Sequence, residues 1–251
     1  MPLRRLALWM RKPLKNALGD LVDIETWGLH LRLSTRDNLS EQRLLFMPRH
    51  LDPRERAILA TELKDGGVFF DIGANAGTYS LWLASRRIAD LHIEAFEPDP
   101  LLCERFKWNM IENRLGSVFL NEFALGANEG ELRLARVEEN LGQNHLISGG
   151  DGLVVRVKTL AGVLEEKRLD RIDALKIDVE GHEAEVLHPL FADVEKELWP
   201  QLVICEALRR EGKREGAKVL LDAGYQFCEA TRMNGIFRLP AHFAAFKNQT
   251  K

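Results

Sequence analysis

The chain has 251 residues, of which 45% are hydrophobic and 29% are charged, so it suits one α/β domain with a small addition and is not a disordered protein. A net charge of -3 argues against nucleic acid as a partner. Its three cysteines lack metal-ligand spacing and indicate reduced thiols in the cytoplasm, and no apolar run reaches the length of a membrane span.

The first 65 residues are predicted to form a basic segment and a small cap before a cofactor-binding domain at residues 66–251. Residues 1–18 carry five lysines and arginines and no acid. Such a segment can lie on an anionic membrane, which would place the protein at the inner face of that membrane. It can also pack on the domain, or on a second subunit of a homo-oligomer.

The rest of the cap is predicted to contain a strand and a helix. Residues 21–34 alternate between apolar and polar side chains, which is typical of one strand. Residues 51–63 predict a helix with Asp52 at the N-cap and Pro53 at the first helical position. A cap in this place commonly contacts the substrate.

The most informative stretch is VFFDIGANAGTYSL at residues 68–81. Its apolar, β-rich start predicts a buried strand at 68–72, followed by a tight turn from Gly73 to Gly77. The two glycines let the backbone turn sharply and let a ligand approach closely. A helix that begins near Thr78 points its free N–H groups at the turn, where they can bind an anionic group. The stretch therefore predicts a nucleotide-type cofactor site.

The spacing around this turn favours S-adenosylmethionine over a dinucleotide. The dinucleotide fingerprint G-x-G-x-x-G is absent, and Asn75 stands in the middle of the turn. Asp71, near the strand end, does not suit a pyrophosphate but suits a ligand with an amino group and a positive centre. Glu97 follows a second strand at 91–96, where an acid can accept hydrogen bonds from ribose hydroxyls.

Two further stretches contribute candidate site residues. The next predicted strand ends near Asn121 and Ala124, which can approach an adenine ring or form a plain strand end. Residues 141–152 are polar and glycine-rich, and they predict a mobile loop over the site. Asn144 and His145 in that loop can face a substrate, although a lone loop histidine is more often solvated.

The second informative stretch is LDRIDALKIDVEGHEAEVLHPLF at residues 169–191. It predicts a strand at 172–177, a glycine-containing turn, and a helix that starts at His182. Ligands of open α/β sheets bind beyond the carboxyl ends of the strands. We therefore expect Asp178, Glu180 and His182 at the same crevice as the glycine turn.

The C-terminal part predicts one more buried strand, at residues 201–206, which ends in Glu206. The pair Asn234-Gly235 is a hairpin signal between strands at 225–230 and 236–239. A terminal hairpin is not expected of a dinucleotide-binding sheet. Lys176 is a charge inside a predicted buried strand, so it needs a partner, and a structural ion pair is one of its roles.

The motifs VFFDIGANAGTYSL, EAFEPDP, NEFALG and ALKIDVEGHEAEVL together resemble the FkbM-type S-adenosylmethionine-dependent methyltransferase family. The resemblance covers about residues 66–207, and the Lys-Ile-Asp-Val-Glu-Gly run at 176–181 is its most specific part. It implies an α/β class I methyltransferase fold, with a Rossmann-like sheet and helices on both faces. It also implies methyl transfer to a hydroxyl, typically of a sugar or glycan or of a secondary metabolite.

The resemblance assigns roles to several of the residues above. It implies that Asp71, Gly73, Asn75 and Gly77 contact the methionine part of the cofactor, that Glu97 holds the ribose, and that Asp178, Glu180 and His182 face the reaction centre. We add Thr78, Asn121, Ala124 and Asp178 to the predicted cofactor contacts, and Asn144, His145 and Glu206 to the predicted substrate contacts.

The chemistry requires that the accepting hydroxyl lose its proton during attack, and His182 and Asp178 are the candidates for the base. A divalent metal ion held by Asp178 and Glu206, with Asp173 as the weakest third candidate, is the alternative, although no ligand spacing in the sequence indicates one. Two rival functions stay open, namely an NAD(P)-dependent oxidoreductase and a non-catalytic scaffold with the same fold.

Overall fold

The computed structural model describes residues 19–138, 140–147, 149–206 and 214–240. The basic segment at residues 1–18 lies outside the described residues, so its membrane and subunit contacts stay predictions. Within the described ranges, no helix combines the length and the apolar character needed to cross a bilayer.

The cap begins with a hairpin of two antiparallel strands, β1 (Leu21–Thr26) and β2 (Leu29–Ser34). The prediction of one strand over residues 21–34 was therefore wrong. Trp27 and Gly28 form the turn with φ angles of 57° and 74°, and two consecutive residues with positive φ are what a tight hairpin turn requires. Tryptophan is an unusual residue in that conformation, so the turn leaves little signal in the sequence.

Two helices complete the cap, α1 (Leu39–Phe46) and α2 (Pro53–Glu62). Pro53 is the first residue of α2, as predicted. Asp52 precedes it, but the Asp52 side chain makes no capping hydrogen bond, and its backbone is left-handed with φ of 40°. Asp52 thus takes the predicted N-cap position but does not cap the helix with its side chain, because its carboxylate bonds to another element, described below.

Beyond the cap, strands and helices alternate, except that five strands follow one another between residues 118 and 158. In chain order they are β3 (Val68–Ile72), α3 (Thr78–Ser85), β4 (His92–Phe96), α4 (Pro100–Glu112), β5 (Val118–Asn121), β6 (Ala124–Leu125), β7 (Gly130–Ala135), β8 (His145–Ile147), β9 (Leu153–Lys158), α5 (Leu160–Lys167), β10 (Ala174–Ile177), α6 (Glu183–Asp193), β11 (Leu202–Glu206), α7 (Arg214–Asp222), β12 (Gln226–Ala230) and β13 (Asn234–Arg238).

A seven-stranded central sheet has the order β12-β13-β11-β10-β3-β4-β5. Its strands are parallel except β13, which is antiparallel to both β11 and β12. The terminal hairpin is thus confirmed, but its turn is not at Asn234-Gly235. Both of these residues lie inside β13, and the Thr231 N–H closes the turn on the Asn234 carbonyl at 2.8 Å.

Both faces of the central sheet are covered, so its strands are buried on both sides. Phe69 and Phe70 are adjacent in β3 and fully buried in two different cores, since successive strand residues point to opposite faces. The cap, α3 and α4 contribute apolar side chains to the first core. The second core receives apolar side chains from α5, α6 and α7. The predicted helices on both faces are confirmed.

A second sheet of four strands, in the order β6-β9-β7-β8, stands beside the central one. Residues 141–152, predicted as a mobile loop, contain a 3-10 turn at Leu141–Gln143 and the strand β8, which pairs antiparallel with β7. The prediction of irregular structure there was wrong. Only Leu146 of this short strand is buried, so the segment shows no clear apolar period.

The cap is fastened to α4 by side-chain amides. Asn109 accepts from the Arg32 N–H at 2.7 Å and donates to the Arg32 carbonyl, and Asn113 does the same to His30 at 2.8 and 2.7 Å. The two asparagines are four positions apart and their partners in β2 are two positions apart. The two spacings match, because four residues of a helix and two residues of a strand both advance by about 6 Å. Two asparagine side chains therefore take the place of a third strand beside β2. The predicted domain boundary near residue 65 stays a prediction.

Candidate active site

The carboxyl ends of four neighbouring strands, β4, β3, β10 and β11, form one edge of the central sheet. The glycine turn follows β3, Glu97 follows β4, Asp178 follows β10, and Glu206 ends β11. Two cavities open along this edge. The first cavity lies over β3 and β4, and the second cavity lies between β3, β10, β11 and the cap. The lining that both cavities share consists of Gly73, Asn75, Gly142, Asp178 and Glu180.

Gly73 brings the ends of β3 and β10 into backbone contact. Its φ is 73°, and a Cβ placed there would lie 2.0 Å from the Asp178 carbonyl oxygen. Its N–H donates to the Phe96 carbonyl at 3.0 Å, which ties the turn to β4 as well. Only glycine can satisfy both the dihedral angle and the contact.

Glu97 forms a buried acceptor in the lining of the first cavity. Each of its carboxylate oxygens accepts one backbone N–H, from Asn75 and from Asp99, both at 2.9 Å. A carboxylate has about four acceptor positions, so it keeps capacity for two further donors. Burial raises the pKa of Glu97 to about 7, against the lowering effect of these two hydrogen bonds. The arrangement suits a pair of ligand hydroxyls.

Apolar residues form most of the remaining wall of the first cavity: Phe96, Phe123, Ala124, Leu125, Leu134 and Leu146. Asn144 and His145 also line it. Asn144 is held in place, because its amide bonds to the Val137 N–H at 2.8 Å and to the Asp99 carboxylate at 2.9 Å. The cavity thus combines an apolar wall with the buried acceptor Glu97, and Asp178 and Glu180 stand where it meets the second cavity.

Three predicted cofactor contacts do not line either cavity. Asp71 is buried and accepts from the Ser80 N–H at 3.2 Å and its hydroxyl at 2.6 Å. Gly77 has a φ of 81°, and a Cβ there would lie 2.3 Å from the Phe106 ring. Asn121 donates to the Glu94 carboxylate at 2.7 Å. These three residues hold the turn and the strand ends, and their contacts with a cofactor stay predictions.

Lys176 is buried in β10, and it also lines the second cavity. Its Nζ lies 3.5 Å from Asp178 Oδ2 and 5.0 Å from the centre of the Tyr79 ring. Burial alone would lower the pKa of Lys176, but attraction to the surrounding carboxylates, Asp178 first, outweighs it and raises the pKa. The sequence predicted that Lys176 needs a partner, and the structure shows that this partner is Asp178.

Tyr79 and Asp52 line the second cavity, and neither was predicted from the sequence as a site residue. The Tyr79 hydroxyl donates to Asp52 Oδ2 at 3.0 Å. Burial raises the pKa of Asp52, and the charge of Glu55 adds to that effect. Asp52 reads as an N-cap in the sequence, and no local pattern links it to a tyrosine 27 residues away.

Of the three residues predicted at the reaction centre, two line both cavities. Asp178 and Glu180 do so, and Glu180 has a left-handed φ of 55°, a strained backbone that clusters at functional sites. His182 lines neither cavity, and its Nδ1 is buried with no hydrogen-bond partner among the described residues.

A group of three carboxylates could hold a metal ion. One oxygen each of Asp178, Glu183 and Glu206 can lie within 4.8 Å of the others. Glu183 was not predicted, and its Oε1 accepts from the Val179 and Gly181 N–H groups at 3.1 and 3.2 Å. Asp173 does not belong to this group. It precedes β10, at the other end of the strand, where it accepts from the Val68 N–H at 2.7 Å.

The order of the central sheet, with one antiparallel strand next to its edge, and the glycine turn after β3 define a Rossmann-like class I methyltransferase domain. The profile of the methyltransferase FkbM domain matches residues 71–229, which is more than half of the chain. The chain belongs to this family, and the predicted fold class and family are confirmed.

Two curated relatives and one solved structure illustrate the similarity. The chain is 26% identical over 132 residues to the hexuronic acid methyltransferase AglP of Haloferax volcanii, and the match covers 52% of each chain, so it spans about half of that relative. It is 28% identical over 210 residues to the 31-O-demethyl-FK506 methyltransferase FkbM of Streptomyces tacrolimicus, covering 70% of this chain and 78% of that one. The crystal structure of a methyltransferase FkbM from Methylobacillus flagellatus KT is 14% identical, with a TM-score of 0.46 over 92% of this chain and 58% of that one.

Proposed function

We propose that the protein is an S-adenosylmethionine-dependent O-methyltransferase whose acceptor is a hydroxyl of a sugar, a glycan or a secondary metabolite. The observation that carries this proposal is the pair of cavities that share Gly73, Asn75, Asp178 and Glu180. Two ligands bound in them would meet at one place, as a group transfer requires.

The residues of the first cavity fit S-adenosylmethionine. Glu97 would accept from the ribose hydroxyls, and the apolar wall around Phe123 and Leu146 would enclose the adenine ring. The methionine part would reach the shared lining at Gly73 and Asn75. There the N-terminus of α3, whose first residue Thr78 lines the second cavity, would offer N–H groups to its carboxylate. When bound, the cofactor supplies a methyl group activated on a positively charged sulfur.

The second cavity fits an acceptor rich in hydroxyls. Its lining is mostly polar, with Lys176, Asp178 and Glu206 at the strand ends, Asp52 from the cap, and amides at Asn140 and Asn234. A sugar ring offers hydroxyl donors and acceptors to such groups. The hexuronic acid named in the description of AglP makes a sugar acceptor a reasonable first choice for this chain.

The proton of the accepting hydroxyl would go to Asp178. This carboxylate lines both cavities, and its Oδ2 is held 3.5 Å from Lys176 Nζ. A positioned base contributes about 10²–10⁴-fold to such a transfer. His182 is the weaker candidate because it lines neither cavity. A metal ion on Asp178, Glu183 and Glu206 is the alternative way to activate the hydroxyl.

The first experiment is isothermal titration of the protein with S-adenosylmethionine and S-adenosylhomocysteine. We expect micromolar binding by the wild type and a loss of at least about tenfold in Glu97→Ala, since a ligand hydroxyl loses its charged acceptor. Glu131→Ala, which removes an exposed acid of β7, is the matched control. Absence of binding to either ligand would remove the methyltransferase proposal and favour the oxidoreductase or the scaffold, which NADH titration and turnover would then separate.

A further inference from the structure

The second cavity continues into another opening, which we name the outer groove. It lies between residues 47–55 of the cap and the hairpin turn at residues 230–232, and Arg43 and Asp52 line both spaces. Its volume of about 590 Å³ is within the range of ~300–1,000 Å³ that is common for small-molecule sites. An acceptor in the second cavity can therefore extend outward from the transfer point.

Three arginines and one histidine line the outer groove, and two of the arginines have no counter-ion among the described residues. Arg54 makes a bidentate ion pair with Glu229, in which Nε and Nη2 donate to the two carboxylate oxygens at 2.7 to 3.1 Å. Arg43 is half-buried and Arg232 is exposed, and across the part of the chain that the structure describes neither side chain makes a hydrogen bond or an ion pair. His50 stands exposed in the same lining.

The two acids of the outer groove already have partners. Glu55 is buried and accepts from the Thr231 hydroxyl and from the Asn234 amide, the latter at 2.9 Å. Asp52 accepts a hydrogen bond from the Tyr79 hydroxyl. Arg43 attracts the Asp52 carboxylate electrostatically but makes no hydrogen bond with it. The positive charges of Arg43 and Arg232 are thus available to a ligand.

The charge changes sign along the path from the transfer point to the outer groove. Asp178, Glu180 and Glu206 line the inner end, and Lys176 is the one lysine that the described residues contribute to that lining. The outer end carries Arg43 and Arg232. An acceptor with neutral hydroxyls at one end and an anionic group at the other matches this gradient, since guanidinium binds carboxylate and phosphate with paired hydrogen bonds.

We propose that the outer groove binds an anionic group of the acceptor, a carboxylate or a phosphate ester, with Arg43 as its main ligand and Arg232 beside it. The acceptor is then an acidic or phosphorylated sugar rather than a neutral one. This inference rests on the proposed function for the identity of the second cavity as the acceptor site, but the binding of an anion can be measured without methyl transfer.

The test is isothermal titration of the full chain, saturated with S-adenosylhomocysteine, with glucose, glucuronic acid and glucose 1-phosphate. We expect at least one of the two acids to bind about tenfold more tightly than glucose, and which acid does so identifies the carboxylate or the phosphate as the source. The preference should weaken as salt is added. Arg43→Gln should remove the preference, and Arg43→Lys should keep part of it because the charge remains.

Arg86→Gln is the matched control, because Arg86 is exposed at the far end of α3. It should bind all three ligands as the wild type does. Retained binding of S-adenosylhomocysteine shows that the Arg43 variants are folded. If Arg43→Gln does not fold, the exposed Arg232→Gln replaces it, with an expected loss of about threefold in the acid preference.

Equal binding of glucose and both acids by the wild type overturns the inference, as does an acid preference that survives Arg43→Gln. A parallel assay with labelled S-adenosylmethionine distinguishes this failure from failure of the proposed function. Methylation of glucose as efficiently as of the acids leaves the proposed function standing and overturns the inference. Arg43-dependent acid binding with no methylation of any sugar supports the inference and counts against the proposed reaction.

Discussion

The hydroxyl of Tyr79 donates a 3.0 Å hydrogen bond to the carboxylate of Asp52, and this bond joins the helix after the glycine turn to the cap. Tyr79 is 6% exposed, so its hydroxyl has little access to water. Asp52 keeps a left-handed backbone, with φ of 40°, at the start of α2. The two residues therefore fix the wall of the second cavity against the turn that is proposed to hold the cofactor.

Replacing Tyr79 by Phe should weaken acceptor binding more than it slows the chemical step. The change removes a hydrogen bond from the half-buried Asp52 carboxylate, at a cost of about 0.5–1.5 kcal/mol in stability. We expect the KM for the acceptor to rise several-fold while kcat changes less, measured by steady-state kinetics with urea unfolding alongside. A large fall in kcat at constant KM would instead give Tyr79 a part in the chemistry.

Replacing Asp178 by Asn should abolish most of the turnover and spare cofactor binding. Loss of a positioned base is expected to lower kcat by about 10²–10⁴-fold, since the amide cannot accept the hydroxyl proton. Titration with S-adenosylhomocysteine should stay within a few-fold of the wild type. Asp193→Asn, at the exposed end of α6, is the control and should be fully active. Turnover by Asp178→Asn close to that of the wild type would move the base to His182.

Glu97 should make the stability of the protein depend on pH near neutrality. Burial raises its pKa from 4.5 to about 7, so the folded chain keeps a proton that the unfolded chain has lost. The contribution of Glu97 to the free energy of unfolding is complete below pH 4.5 and disappears as the pH rises through about 7. The unfolding free energy of the wild type should therefore fall between pH 5 and pH 8 by more than that of Glu97→Gln.

Urea titrations of both proteins at several pH values measure this difference. A bound ligand lowers the pKa of Glu97, whereas burial raises it, because hydroxyl donors favour the ionised carboxylate. S-adenosylmethionine affinity should rise with pH up to about 7 and then level off. Parallel stability curves for the two proteins would mean that Glu97 is already ionised in the folded state at pH 5.

Replacing Gly73 by Ala should prevent normal folding. The added Cβ would lie 2.0 Å from the Asp178 carbonyl oxygen, at a residue with a φ of 73°, so both the contact and the dihedral angle oppose it. We expect a loss of at least about 4 kcal/mol, which is in the exceptional range for one substitution. Gly116→Ala is the control, because nothing lies within 4 Å of its Cβ position. A Gly73→Ala protein as stable as this control would contradict the backbone contact.

Removal of divalent ions should leave turnover largely intact. Lys176 already supplies a positive charge to Asp178 at 3.5 Å, and two N–H groups bond to one oxygen of Glu183. The measurement is turnover after treatment with EDTA and after Mg²⁺ is added back. A fall of tenfold or more that Mg²⁺ restores in the wild type, but not in Glu183→Gln, would assign the three carboxylates to a metal ion.

The strands and turns that contain local patterns could be predicted from the sequence, and the contacts between distant segments could not. The run Val68–Ile72 is apolar and stops at a glycine, and the strand has these bounds. Asn234 reads as a turn residue, yet it lies in a strand, where its amide bonds to Glu55, 179 positions away in the chain. The Trp27-Gly28 turn, the Tyr79–Asp52 bond and the outer groove depend in the same way on tertiary packing, which overrides local preference.

The amide clamp between α4 and β2 determines which part of the chain could be exchanged between relatives. A recombinant that joins a foreign cap at residue 65 would separate β2 from Asn109 and Asn113, and would leave the backbone groups of His30 and Arg32 without partners. A crossover after Asn113 keeps the strand and both asparagines from one parent. Chimaeras that exchange the cap should therefore take residues 19–113 from one parent as a unit, and libraries should be cut after Asn113.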